Sequence, residues 1–365
     1  MTVPTKTLAA FALLLAAPSG VLVAQETAPP PVVTTQDILA GLTADGSSWL
    51  TFGGDYANQR HSPLTQITPE NVGRLVPRWT FQTGTLGNFE TTSLLHDNVL
   101  YVTGPQSVAW AIDARTGRQI WRYRRELPTG LTACCGLVNR GFAMLGDKLF
   151  MVTLDAHLLA LDARTGSVVW DAEMEEHSIG YAATIAPLVV KDKVIVGVAG
   201  GEYGIRGFID AYDVETGERV WRFYTVPGPG EPGNETWAGD SWRTGGASVW
   251  VTGAYDPALN LLMYGIGNPG PDYYGEIREG DNLYSNSLVA LDADTGRLRW
   301  HYQFTPHDVH DWDATEVPIL ADLPIAGQTR RVVMFANRNG FYYTLDAATG
   351  RLIVAKPFVE TTWAK

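Results

Sequence analysis

The chain has 365 residues, 45% hydrophobic and 18% charged, with 38 glycines and 12 tryptophans. That balance excludes a disordered or fibrous polymer and points to a turn-rich globular protein. A net charge of −12 with no Lys/Arg cluster argues against nucleic acid or an anionic membrane as partner.

The N-terminus reads first. Residues 1–24, MTVPTKTLAAFALLLAAPSGVLVA, carry one cation (Lys6), an apolar run from Leu8 to Ala17, and then small and helix-breaking residues. This is the pattern of a secretory signal cut after Ala24. The apolar run is too short to span a bilayer, which needs roughly 20 residues. Residues 25–34 then read as a Pro-rich linker. Between 35 and 75 short helical signals appear, among them ITPENVGRL with Thr68 as N-cap and Pro69 at the first helical position. Both cysteines follow in TACCGLVNRG, at 134 and 135. Neighbouring Cα atoms across a trans peptide sit about 3.8 Å apart, whereas a disulfide usually spans about 4.4–6.8 Å. Two separate thiols are therefore the ordinary reading of such a pair, although export to an oxidising compartment permits a bond.

From residue 111 onward one element recurs: AIDARTGRQIW, ALDARTGSVVW, AYDVETGERVW, ALDADTGRLRW and TLDAATGRLIV. Its glycines, Gly117, Gly166, Gly217, Gly296 and Gly350, are spaced by 49, 51, 79 and 54 residues, a period of one supersecondary unit per repeat. Runs such as KLFMVTL, KVIVGVAG and NLLMYGIG precede the elements and read as β-strands. In D-x-x-T-G the Asp can bond its own downstream backbone and the Gly accepts positive φ, so the motif predicts a tight turn. Trp121, Trp170, Trp221 and Trp300 are then core residues packed between units, with Val354 in the fifth place. Four-stranded units repeated radially make an all-β propeller. The long interval holds the insert TVPGPGEPGNETWAGDSW, and such inserts often lie on the binding face. Five units do not close a ring, so the chain is expected to be part of a larger propeller.

Four stretches bring polar residues into apolar surroundings. VAGGEYGIRG carries Glu202, GIGNPGPD carries Asn268, TPHDVHDWDATE carries Asp308, Asp311 and Asp313, and FANRNGFYYTLD carries Arg338. Each alone reads as an ordinary turn. Together they place hard oxygen ligands at strand ends, a set suited to Ca²⁺ or a similar cation. His307 and His310 lack the second cluster that zinc spacing requires.

Together with ACCGLVNRG and the N-terminal stretch WLTFGGDYANQRHSPLTQITPENVGRLVPRW, these motifs resemble the PQQ-dependent (quinoprotein) alcohol dehydrogenases of the periplasm, methanol/ethanol type. The resemblance covers nearly all of residues 35–365 and implies an eight-bladed propeller, of which this chain covers roughly the first five repeats. It implies Glu202, Asn268 and Asp311 as metal ligands, with Asp311 also the catalytic base. Arg338 falls on the arginine that contacts the quinone oxygens, and Trp250 on the tryptophan beneath the flat cofactor. Glu90, Arg140 and Thr184 match contacts to the cofactor rim, while Gly200 and Gly201 let backbone approach it. Ser248 stands where Thr is common, and Ala199 where some members have Ser. The match through CCGLVNR implies that Cys134 and Cys135 form a vicinal disulfide, a rigid cover on the quinone that closes no loop.

Asp313, two residues after the catalytic Asp, resembles the lanthanide-dependent members. An extended local chain would point residues i and i+2 the same way. Three carboxylates, from Glu202, Asp311 and Asp313, would then favour a lanthanide, with Ca²⁺ as the alternative. The resemblance further implies a small alcohol substrate, a cytochrome c acceptor, periplasmic location and room for a homodimer. The loop from Glu202 to Trp250 is short against dedicated methanol enzymes, which points away from methanol itself. A sugar or polyol dehydrogenase, and a non-enzymatic propeller scaffold of the outer-membrane assembly kind, are the alternative readings.

Overall fold

The computed structural model describes residues 32–42 and 46–363, so the expected signal (1–24) and most of the linker lie outside the described residues. Twenty strands form five four-stranded antiparallel sheets over 94–124, 143–173, 188–224, 254–303 and 319–357. In every sheet the strands pair in chain order, each with its predecessor. These are the expected propeller blades.

The D-x-x-T-G motif builds the turn between the third and fourth strands of each blade. In the second blade Asp162 Oδ1 accepts the N–H groups of Arg164 (3.0 Å) and Thr165 (2.8 Å), and Gly166 N donates to Asp162 O at 2.8 Å. Gly166 has φ +72°, and a Cβ there would lie 2.7 Å from the Trp121 ring of the preceding blade. Only glycine fits both demands.

The same seat recurs with Trp170 on Gly217, Trp221 on Gly296 and Trp300 on Gly350. Each indole N–H also donates to a carbonyl of the next blade: Trp121 to Ala163 (2.9 Å), Trp170 to Val214 (3.2 Å), Trp221 to Ala293 (3.3 Å) and Trp300 to Ala347 (3.1 Å). The tryptophans are therefore docking residues between units, as expected. The first seat, Gly117, is filled by Trp79 from the N-terminal stretch, whose Nε1 donates to Ala114 O at 2.9 Å. No repeat element marked Trp79.

Burial follows strand position. The third strand of the second blade, His157–Asp162, is buried along Leu158–Leu161, because blades pack on both of its faces. Outer strands such as Gln119–Arg124 alternate, with Trp121 buried among exposed neighbours.

One local expectation fails. ITPENVGRL forms only a single 3₁₀ turn at Val72–Arg74, rather than a helix capped by Thr68. Asn71 Oδ1 accepts the Thr68 N–H (2.8 Å) and Val72 N donates to Thr68 O (2.9 Å), so a first turn starts at Thr68, but Val72 and Leu75 stay exposed and the turns go no further than Arg74. The helix that does form is Thr35–Ala40, with a Thr34/Asp37 capping box.

Candidate functional site

In a four-stranded meander, the entry to the first strand and the link between the second and third strands share one edge. The D-x-x-T-G turns lie at the other. Every polar stretch singled out above uses the first edge. Glu202 follows the strand Lys193–Gly197, Asn268 follows Leu261–Gly265, and Arg338 follows Gln328–Ala336, each a second strand. Glu90, Arg140, Thr184, Trp250, Asp311 and Asp313 all lie on the segments entering blades. Separate blades thus deliver their polar groups to one face.

There they surround a cavity of about 520 Å³. Its wall contains Glu90, Cys134, Cys135, Arg140, Thr184, Gly200, Glu202, Ser248, Trp250, Asp311, Asp313 and Arg338, so nearly every residue predicted from sequence arrives at one place. Gly201 and Asn268 stand just behind the wall. A Cβ on Gly201 would sit 3.2 Å from Ser248 Oγ, and Asn268 N donates to Asp313 Oδ1 at 3.0 Å. The insert 225–242 supplies no wall residue. It enters the fourth blade at this same edge and packs on both flanking blades, Glu231 accepting from Arg206 at 2.6 Å and Thr236 Oγ1 accepting the Leu283 N–H at 2.8 Å. The insert thus borders the face without forming the wall of the cavity.

Two guanidiniums line the cavity. Arg140 pairs with Glu90 (2.7 Å), donates to Thr184 Oγ1 (2.7 Å), and lies 4.7 Å from the centroid of the Trp250 ring. Arg338 donates to Asp313 Oδ2 at 3.1 Å and, through its backbone N–H, to Glu316 at 3.1 Å. Cys134 and Cys135 are joined in a disulfide, with Cα atoms 3.8 Å apart. The family-based expectation therefore stands over the ordinary reading of two thiols. The Glu202 carboxylate lies within 4.8 Å of both sulfurs, which, bonded to each other, offer no thiolate to a metal.

Carboxylates crowd the same cavity. Burial raises Asp313 to about 7, with Asp311 adding to the rise and the Asn268 N–H opposing it. Burial likewise raises Glu202, helped by Asp272 and Asp311, and raises Asp311, helped by Asp272. Glu316 is pushed to about 7, again mainly by burial. Carboxylates so crowded hold protons unless a cation compensates them. Asp311 has φ +60°, so the chain at 311–313 is not extended and simple alternation does not explain its direction. Asp308 shapes this loop instead, accepting the N–H groups of His310 (3.0 Å) and Trp312 (2.9 Å). His310 stacks on Trp312 with ring centroids 4.4 Å apart, and His307 Nδ1 bonds Gly280 O, so neither histidine joins a zinc-type cluster.

Residues 49–361 match the family model described as PQQ: Glucose/ethanol/alcohol dehydrogenase, beta-propeller domain. The chain belongs to this family. It is 46% identical over 336 residues to the quinohemoprotein alcohol dehydrogenase ADH IIB of Pseudomonas putida, covering 88% of this chain and 49% of that protein. It is 40% identical over 354 residues to the lanthanide-dependent methanol dehydrogenase of Methylacidiphilum fumariolicum, covering 90% and 58%. The solved structure of the quinohemoprotein alcohol dehydrogenase ADHIIG of Pseudomonas putida HK5 superposes with a TM-score of 0.86 at 43% identity, over 92% of this chain and 51% of that one. The chain thus spans about half the length of the curated relatives it matches.

The quinoprotein site can be tested against its own geometry. A Cβ on Gly200 would meet Gly180 O at 2.1 Å, so at that point of the wall the backbone packs too closely for a side chain. An aromatic face (Trp250), a fixed guanidinium (Arg140) and a bank of carboxylates fit a flat anionic ring beside a cation. Sequence reasoning missed Asp272, which also lines the cavity, and Glu316 behind Arg338. Asp272 lies within the quoted GIGNPGPD, but an acid after a proline in a loop gives no separate signal.

Proposed function

We propose that the protein containing this chain oxidises primary alcohols to aldehydes with PQQ and one bound cation, a lanthanide in preference to Ca²⁺. The observation that carries this reading is one cavity in which a fixed guanidinium, an aromatic face, a vicinal disulfide and five carboxylates from four blades meet. When bound, PQQ supplies a quinone that takes up the hydride equivalent, and the cation acts as a Lewis acid.

The chain's own residues hold and orient. Trp250 and the Cys134–Cys135 ring offer flat, rigid surfaces for the cofactor. Arg140, set by Glu90 and Thr184, neutralises a carboxylate of the cofactor, and Arg338 contributes positive charge beside Asp313. Glu202, Asn268, Asp311 and Asp313 would hold the cation. Asp311 accepts the proton from the substrate hydroxyl as general base. Asp313 adds the third carboxylate that matches a trivalent ion better than Ca²⁺. Electrons leave to a cytochrome c in the periplasm, reached by export through residues 1–24. Two named quinohemoprotein relatives support a haem acceptor.

Metal-depleted full-length protein, reconstituted with PQQ and either La³⁺ or Ca²⁺, tests the reading. A quinone absorption band and faster cytochrome c reduction with La³⁺ are expected when a primary alcohol is supplied. Full turnover with Ca²⁺ and none with La³⁺ would overturn the choice of metal. Absence of a quinone band with either ion would overturn the function.

A further inference from the structure

Asn268 is buried, and its side-chain amide meets two groups that can only accept hydrogen bonds. Nδ2 donates to Asp272 Oδ1 at 2.7 Å and to the Pro269 carbonyl at 3.4 Å. Among the described residues none donates to its Oδ1.

The two ends of an amide have the same shape and opposite chemistry, one donating and one accepting. A hard cation binds only the oxygen. A carboxylate and a carbonyl have no hydrogen to give, so the end of Asn268 that faces them must be the nitrogen. Turning the amide over would set Oδ1 against a carboxylate oxygen, losing a charge-assisted bond and adding repulsion between acceptors. Asp272 therefore decides which end of Asn268 is free.

Asp272 is itself well anchored. The guanidinium of Arg278 is fully buried. It donates to the carbonyls of Pro271 (3.1 Å), Asp272 (3.2 Å) and Asp308 (2.6 Å), and to Asn282 Oδ1 (2.8 Å). One buried cation thus ties the 271–272 segment to Asp308, the residue that shapes the Asp311 loop.

We propose that Asp272 is a positioning residue for the cation site: by taking the Asn268 Nδ2–H it presents Asn268 Oδ1 to the ion. This rests on the reading of Asn268 as a metal ligand. The test is a Tb³⁺ titration of full-length, PQQ-loaded, metal-stripped protein, read as Tb³⁺ luminescence excited through nearby tryptophan. D272A is expected to weaken Tb³⁺ binding by about 10- to 100-fold, the usual cost of removing a partner of a metal ligand. D272N removes the charge but keeps an oxygen that accepts from Nδ2, and it should retain most of the affinity. In an N268D background, where both ligand oxygens are equivalent, D272A should no longer weaken binding.

Equal losses in D272A and D272N would overturn the proposal, because Asp272 would then act by charge. Unchanged Tb³⁺ affinity in D272A would overturn it too. Should D272A fail to fold by circular dichroism, D272N decides alone, and a loss of about tenfold or more there refutes positioning. A natural protein that binds no Tb³⁺ overturns the cation site itself, and this inference with it.

Discussion

Replacing Gly296 by alanine measures what joins one blade to the next. Gly296 has φ +68°, and a Cβ there would stand 2.5 Å from the Trp221 ring. The left-handed backbone costs an alanine about 1–2 kcal/mol. The ring has little room to retreat, since Trp221 is 9% exposed and its N–H is bonded to Ala293 O at 3.3 Å. Overpacking against it adds about 1–3 kcal/mol. G296A should therefore destabilise by about 2–5 kcal/mol, less about 0.4–1 kcal/mol for the stiffer unfolded chain. W221A alone should cost about 3–5 kcal/mol. In the double variant the steric part vanishes, because no ring remains to strike. The two changes should then fall short of additivity by about 1–3 kcal/mol. G296N is the control, since asparagine tolerates positive φ while keeping the clash. Denaturant midpoints of the full-length protein, followed by far-UV circular dichroism, supply the four corners of the cycle. Additivity within about 0.5 kcal/mol would refute the docking argument.

Four other outcomes follow from the site. D313A should lose La³⁺ binding far more than Ca²⁺ binding, as seen by metal analysis after dialysis; equal losses would remove Asp313 from the choice of ion. C134S/C135S should leave the melting temperature nearly unchanged, because the ring closes no loop, while PQQ retention on gel filtration falls. A large drop in melting temperature would instead make the disulfide a structural staple. R140M should weaken PQQ binding, and R140K should rescue it only partly because one ammonium cannot serve Glu90 and Thr184 in the guanidinium's geometry; full rescue by lysine would refute that reading. R278M strips three carbonyls and Asn282 of their donor, so at least about 3 kcal/mol of stability should be lost in a denaturant melt; a loss under about 1 kcal/mol would show that water replaces it.

Much of the fold was legible because its signals are local. D-x-x-T-G encodes its own turn: an acid bonds two amides within three residues, and a glycine takes positive φ. The period of the glycines then sets one blade per repeat. Thr68 misled because a cap starts a turn but does not extend it, and Val72 and Leu75 find no core to bury against. The length of the insert marked a loop at the blade entries, but only packing decided that it stops short of the cavity wall.

The candidate site was legible to a different depth. Sequence alone determined which residue types stand at strand ends, and family resemblance gathered twelve of them that do line one wall. Tertiary structure decided which side chains meet and which groups they leave free. Trp79 fills the seat at Gly117 from 38 positions upstream, and no repeat marks it. Asp308 turns Asp311 into the cavity through two backbone amides, where strand alternation would have served as the guess. Asp272 acquires meaning because its carboxylate takes the Asn268 Nδ2–H while buried Arg278 holds its backbone carbonyl. Local hydrogen-bond chemistry is written in adjacent residues. Which acceptor a side chain meets is set by packing between segments, and that appears only once the blades are docked.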